Sequence, residues 1–225
     1  MIPWVQLDTA KVPGGGEFRL MQRGDEFWIM VGTSPLMTSR VGGSEEALAT
    51  LAAARIESRS KARMLIGGLG MGFTLRAALG MMRADAEIVV AELVPAVVTW
   101  ARGPLTPVFK GSLDDPRVRV EVADVGKVIG KGSWDAVLLD VDNGPEGLSR
   151  PGNDRLYSAA GLRTSFAALR PGGVLAVWSA HPDAAFSKRL VSAGFVVEET
   201  KARANGKRGG ARHVIWLATR PVLKK

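Results

Sequence analysis

The stretch Met64-Leu65-Ile66-Gly67-Gly68-Leu69-Gly70-Met71-Gly72-Phe73-Thr74-Leu75-Arg76, followed by Ile88-Val89-Val90-Ala91-Glu92, decides the fold of this chain. Met64 to Ile66 is an apolar run too short for a helix, and the glycines behind it let the backbone turn tightly and approach a ligand. Phe73, Leu75, Ala78, Leu79 and Met82 then recur at helical spacing beside the solvated Arg76 and Arg83. Ile88 to Ala91 reads as a fully buried parallel strand. Glu92 stands at its carboxyl end, 20 residues after Gly72, where a carboxylate can accept both hydroxyls of a ribose. Strand, glycine turn, helix, strand and acid, in that order, predict a βαβ site for an adenosine ligand, although glycines alone also suit a tight turn in any α/β protein.

Glycine placement separates the adenosine ligands. A dinucleotide fingerprint wants its third glycine where this chain has Phe73, and the pattern here is G-x-G-x-G. A pyrophosphate also gains from a helix N-terminus packed closely on the strand, which the bulk of Met71 and Phe73 opposes. S-adenosylmethionine is therefore expected ahead of NAD.

Working outward, the same edge of the sheet gathers acids. Val118 to Val122 alternates as a third strand with Asp124 just beyond it, and Trp134 to Leu139 forms a fourth ending at Asp140, followed by Val141-Asp142-Asn143-Gly144-Pro145. Open parallel sheets bind ligands at the carboxyl ends of their strands, so Gly68 to Gly72, Glu92, Asp124 and Asp140 are predicted to share one crevice. A helix over Leu156 to Leu169 is broken by Arg170-Pro171-Gly172-Gly173, and Val174 to Trp178 is a fifth strand. A helix over Ala184 to Ser192 precedes two more strands, Phe195 to Val197 and His213 to Ala218. These last two leave no room for a helix between them, so they should pair antiparallel. The prediction is an α/β fold with a seven-stranded mixed sheet and one antiparallel strand.

Upstream, Gly24-Asp25 between Phe18 to Met21 and Phe27 to Val31 signals a hairpin. Residues 1–43 are accordingly read as a small N-terminal β-hairpin extension, with its first residues an arm beyond Pro13-Gly14-Gly15-Gly16, and 44–225 as the Rossmann-like domain. Ser44-Glu45-Glu46 opens a helix through about Ser58, with Ser44 as its N-cap.

Composition bounds the chemistry. At 225 residues, 46% hydrophobic and 23% charged, the chain suits one buried α/β domain. No apolar run is long enough to span a membrane, and the N-terminus lacks the pattern of a secretory leader, so a cytoplasmic protein is expected. The absence of cysteine excludes disulfides and thiol nucleophiles, and with His181 and His213 as the only histidines no metal is expected. The net charge of +8 favours polyanions in a general way. Lys201, Arg203, Lys207, Arg208 and Arg212 form a glycine-rich basic tip without an aromatic residue, read as a solvated loop; nucleic-acid binding is possible there but not favoured. His181 is read as a loop histidine with a structural hydrogen bond, His213 as a strand residue, and Trp100, Trp178 and Trp216 as core. Trp28 is read as a candidate subunit contact.

Gly68 to Arg76, Glu92, Asp115-Pro116-Arg117-Val118, Ala123-Asp124, Trp134 to Asp140 and Arg170 to Gly173 together resemble the class I S-adenosylmethionine-dependent methyltransferase superfamily, and within it the spermidine synthase family. The resemblance implies the Rossmann-like class I fold and a homodimer. It also implies a cofactor site of Gly68, Gly70, Met71, Gly72, Glu92, Leu93, Asp124, Val125 and Asp140. The glycine loop would cradle the methionine portion, Glu92 the ribose, and Asp124 the adenine amino group, with Asp140 near the sulfonium. In that family an aspartate of the glycine loop attracts the free amine of decarboxylated S-adenosylmethionine, and Met71 stands there in this chain. A second aspartate follows the position of Asp140 by three residues, where this chain has Asn143 beside Asp142, and the tyrosine-rich amine motif gives way to Ser44-Glu45-Glu46. These departures put methyl transfer from S-adenosylmethionine to a small nucleophile first, with Asp140 or Asp142 catalytic. Aminopropyl transfer from the decarboxylated cofactor, with Asp142, Glu45 or Glu46 replacing the missing acids, is the alternative. A non-catalytic role in binding cofactor or nucleic acid comes third.

Overall fold

The structure is a computed structural model that describes residues 2–13, 15–141 and 154–222. Asp142 and Asn143 lie outside the described residues. Strands β1 (Val5–Lys11), β2 (Glu17–Arg23), β3 (Glu26–Val31) and β4 (Ser34–Thr38) form a four-stranded antiparallel sheet in sequential order. The expected hairpin is β2–β3, turning at Gly24 with φ of 60°. The expected arm is instead a paired strand, β1 on β2, tied down by Trp100 Nε1 donating to Asp8 at 2.6 Å. Trp28 stacks on Trp4 with ring centroids 4.2 Å apart and donates to Glu26 at 2.8 Å.

After α1 (Gly43–Ala54), the main sheet begins with β5 (Arg63–Gly67), α2 (Phe73–Met81), β6 (Glu87–Glu92), α3 (Pro95–Arg102), α4 (Thr106–Phe109), β7 (Val118–Val122), α5 (Val125–Ile129) and β8 (Trp134–Leu139). It ends with α6 (Asp154–Tyr157), α7 (Ala159–Ala168), β9 (Leu169–Ser179), α8 (Ala184–Ser192), β10 (Val196–Arg203) and β11 (Arg212–Thr219). The strand order is β10-β11-β9-β8-β5-β6-β7, with β11 antiparallel to both its neighbours, which is the mixed seven-stranded sheet expected from the sequence. Two local expectations differ. Arg170 to Gly173 does not separate helix from strand but forms the start of β9, where Gly172 N–H donates to the Arg220 carbonyl and the Gly173 carbonyl accepts the Arg220 N–H. The helix expected from Leu156 is two pieces, since Ser158 caps α7 with its hydroxyl.

Alternating residues of each central strand enter two separate cores. Met64, Ile66, Ile88, Val90, Ala136 and Leu138 face α1, α2, α3 and the small sheet, whereas Leu65, Val89, Val137 and Leu139 face α5, α7 and α8. Burial on both faces is why these strands read as continuous apolar runs without polar alternation. Leu20 and Ile29 bring the small sheet into the first core, with no exposed area. The small sheet is thereby fixed over the carboxyl ends of the parallel strands.

At the opposite, amino end of the sheet, Asp135 is 1% exposed and takes Arg59 Nη1 at 2.6 Å, Arg170 Nη1 at 2.8 Å and the Arg63 backbone N–H at 2.8 Å. Asp135→Ala would leave the Arg63 backbone N–H without its acceptor and release two partly exposed guanidinium groups to solvent. It is expected to destabilise the fold by about 1–3 kcal/mol, read as a lower urea midpoint at unchanged slope.

Candidate active site

The cavity lies where the order of the parallel strands reverses, between β5 and β8, the position at which such sheets hold ligands. Its floor is the turn after β5. Gly68, Gly70 and Gly72 have φ of 90°, 48° and 72°, and a Cβ on Gly68 would stand 2.6 Å from the Asp140 carbonyl oxygen. A Cβ on Gly72 would stand 2.5 Å from the Phe109 ring. The G-x-G-x-G pattern is therefore set by positive φ and by close packing together. Phe73, which replaces the third dinucleotide glycine, fills the space beside Gly42, where a Cβ would lie 2.2 Å from the ring.

Glu92 is buried, and its two oxygens accept the Leu69 backbone N–H at 2.9 Å and the Val94 backbone N–H at 2.8 Å. The acid expected to hold a ribose thus also staples the glycine loop to the end of β6. A carboxylate oxygen accepts more than one hydrogen bond, so these backbone bonds and two ribose hydroxyls are compatible. Asp124 caps α5, accepting Gly126 N–H at 2.9 Å and Lys127 N–H at 3.3 Å, while its other oxygen pairs with the exposed Arg155. The sequence reading gave Asp124 to adenine and did not find Arg155. Leu93, Val125 and Met71 line the same cavity with Gly68, Gly70, Gly72, Glu92, Asp124 and Asp140, so every cofactor residue proposed from the sequence is brought together.

Asp140 is the chemically unusual member. It is half-buried by area because it opens onto the cavity, but its carboxyl is enclosed by protein and takes the Thr74 hydroxyl at 2.5 Å. Burial, and after it the negative charge of Glu45, pushes its pKa up from 3.8 to about 7; Thr74 acts in the opposite sense. Glu45 lines the same cavity, and burial raises its pKa too. A carboxyl whose pKa is raised toward neutrality by burial and by a neighbouring negative charge is suited to accept a proton from a substrate.

Several lining residues were missed from the sequence. Ser44 does not cap α1: the N-cap is Gly42, and the Ser44 hydroxyl donates to Glu45 Oε2 at 2.6 Å. Phe18, Ile29, Leu36, Met37 and Thr38 from β2, β3 and β4 close the cavity from above, and Trp178 from β9 closes its side. The Thr38 hydroxyl and the Trp178 indole N–H are buried without a hydrogen-bond partner among the described residues. No sequence signal marks the β2–β4 residues, since only the packing of the small sheet brings them here. His181 does not line the cavity and is exposed, its backbone bonded to the Ser179 hydroxyl. The five basic residues of the β10–β11 tip are exposed, but the tip itself is anchored to α1 through Gly43 N–H donating to the Ala204 carbonyl at 2.7 Å. No described helix is long and apolar enough to cross a membrane.

The residues present fit an S-adenosyl sulfonium. The glycine cradle offers backbone approach, Glu92 offers acceptors to diol hydroxyls, and the carboxyl-rich wall compensates cationic charge.

No protein-family model matches the chain. A polyamine aminopropyltransferase of Mycobacterium tuberculosis is 33% identical over 132 residues, which cover 56% of this chain and 24% of that relative. The matched region is thus about a quarter of the curated relative's length. The fold is similar to that of spermidine synthase from Thermotoga maritima, with a TM-score of 0.75 at 17% identity over 97% of this chain and 74% of the other. A spermidine synthase solved with the transition-state analogue AdoDATO gives a TM-score of 0.74 at 17% identity, over 97% of this chain and 73% of the other. Over 132 residues the sequence is thus similar to a polyamine aminopropyltransferase, and the fold as a whole is similar to that of spermidine synthases.

Proposed function

We propose that this chain transfers an aminopropyl group from decarboxylated S-adenosylmethionine to the nitrogen of a cationic amine. The observation that carries the reading is the carboxyl pair, Glu45 and Asp140, facing one cavity beside the glycine loop. The sequence alone put methyl transfer first because the amine-binding acids are depleted; Glu45 supplies one from α1, and the names of the relatives support the alternative.

When bound, the donor supplies a sulfonium whose departure as a neutral thioether makes the transferred carbon electrophilic. The chain's own residues do the remainder. Glu92 and the backbone from Gly68 to Gly72 fix the adenosine end, while Phe18, Ile29 and Met37 exclude water. Asp140, near half-ionised at neutral pH, accepts a proton from the acceptor's ammonium and frees its lone pair. Holding nitrogen, carbon and sulfur in line accounts for the larger share of the rate, worth up to ~7–11 kcal/mol in favourable cases.

Met71 favours a second reading, in which the carboxylated donor is used for methyl transfer, because an apolar residue does not repel a carboxylate. Calorimetric titration with each donor separates the two. Tighter binding of the decarboxylated form is expected, and Met71→Asp should widen its advantage roughly tenfold or more by adding a charged hydrogen-bond partner for its amine. Preference of the wild-type chain for the carboxylated form would turn the assignment to methyl transfer.

A further inference from the structure

Both histidines of the chain come near the site from one side, yet neither lines the cavity. His213 on β11 is half-buried, with its ring edge-on to Trp178 at 4.7 Å. Its Nδ1 lies 2.9 Å from the Ser44 hydroxyl, which is fully buried and reaches Glu45 Oε2 at 2.6 Å. Glu45 in turn faces Asp140 across the cavity. The juxtaposition is built: a Cβ on Gly43 would stand 2.2 Å from Gly206 N, so the start of α1 is pressed against the β10–β11 tip and Ser44 is held beside His213. A chain of hydrogen-bonding groups thus runs from Glu45, on the cavity wall it shares with Asp140, to an imidazole that reaches the surface.

We propose that Ser44 and His213 form a proton path that empties Glu45 and Asp140 after each transfer. The proposal rests on the reading that the acceptor enters as an ammonium. Transfer to a primary ammonium forms a carbon–nitrogen bond, breaks the carbon–sulfur bond with its electron pair going to sulfur, and leaves the product nitrogen still cationic. One proton must therefore leave per turnover. The acceptor's N–H breaks and an O–H forms on Asp140, and the proton passes across the cavity to Glu45 through intervening water. From there Glu45 O–H gives its proton to Ser44 Oγ as Ser44 gives its own to His213 Nδ1, and His213 Nε2 releases one to water. The step regenerates both carboxylates and leaves His213 neutral as its Nδ1–H tautomer, with each hydrogen bond reversed in direction; rotation of the Ser44 hydroxyl and a flip of the imidazole ring reset the path for the next turnover. Burial, and secondarily His181, lowers the pKa of His213, which favours prompt release. The other groups facing the path are Thr74 on Asp140, Glu46 beside Glu45, and Arg76, which feels the charge of Glu46. Ser44 and His213 act through Glu45 and are positioning residues.

The test uses decarboxylated S-adenosylmethionine with diaminobutane as the probe amine, and compares wild type with Ser44→Ala and His213→Asn; asparagine keeps a group near Nδ1 but cannot carry the proton. Both variants are expected to lose roughly tenfold in kcat near neutral pH at unchanged KM, and to recover toward wild type near about pH 10, where the amine arrives uncharged. A deficit of the same size at every pH would indicate a merely structural role and overturn the path, as would wild-type rates. A second readout needs no turnover. In the ligand-free protein, Glu45→Gln is expected to lower the NMR titration midpoint of His213 by roughly half a unit, and Ser44→Ala to abolish that response. If wild type consumes neither donor nor amine, the transferase reading fails while the titration still judges the path; an unresponsive His213 in a protein that does turn over overturns the path alone.

Discussion

Asp140→Asn is expected to lower kcat by about 10²–10⁴-fold while leaving donor affinity within a few-fold of wild type. Asparagine is nearly isosteric and can keep a bond to the Thr74 hydroxyl, which stands 2.5 Å from the native carboxyl, so the loss isolates proton acceptance from shape. The same substitution should stabilise the folded chain. Because the folded-state pKa of Asp140 is raised from 3.8 to about 7, the native state holds a proton between those values that the unfolded state has released. Stability therefore falls as pH rises through that window, and above it the enclosed charge costs on the order of one to a few kcal/mol. Asp140→Asn removes that slope, so its melting temperature should exceed wild type at pH above about 7 and converge with it in acid. Equal losses in turnover and donor affinity, with no gain in stability, would mean that Asp140 holds the cofactor and moves no proton.

Glu92→Gln carries the second large effect, because one carboxylate serves two purposes. It takes the backbone N–H groups of Leu69 and Val94, and in the proposed complex it also accepts the ribose hydroxyls. An amide offers a single acceptor oxygen and sets its NH₂ against one of those donors, leaving a buried N–H unsatisfied. The expected cost is about 1–3 kcal/mol in folding stability and a weakening of donor binding of roughly 100-fold. Urea unfolding reads the first and calorimetry the second. Unchanged affinity with lowered stability would reduce Glu92 to a structural staple of the loop.

The topology was legible in the sequence because burial on both faces makes Met64 to Gly67, Ile88 to Ala91 and Trp134 to Leu139 apolar throughout, and glycines at positive φ punctuate their ends. Row by row, the acids Glu92, Asp124 and Asp140 followed from strand ends alone, as did the antiparallel last pair. The acceptor side of the cavity did not follow. Ser44 and Glu45 carry the local signature of a helix start, yet Gly42 caps α1, because Gly42 and Gly43 let it pack against Phe73 and Gly206 and turn Ser44 inward. Trp178 alternates correctly for the core, and only the absence of a partner for its indole N–H marks it as part of a site. His213 also alternates as an ordinary strand residue; its bond to Ser44 spans 169 positions and has no local correlate. Contacts between distant elements, which set Glu45 opposite Asp140, are invisible to periodicity.

The central claim is that this cavity alkylates an amine with an aminopropyl group. Mass spectrometry of the amine fraction, after incubation of the protein with decarboxylated S-adenosylmethionine and diaminobutane, tests it most directly. The account predicts a product heavier than the amine by one aminopropyl group, formed together with the thioether and lost in Asp140→Asn. An unmodified amine, with S-adenosylmethionine instead yielding a methylated product, would contradict it.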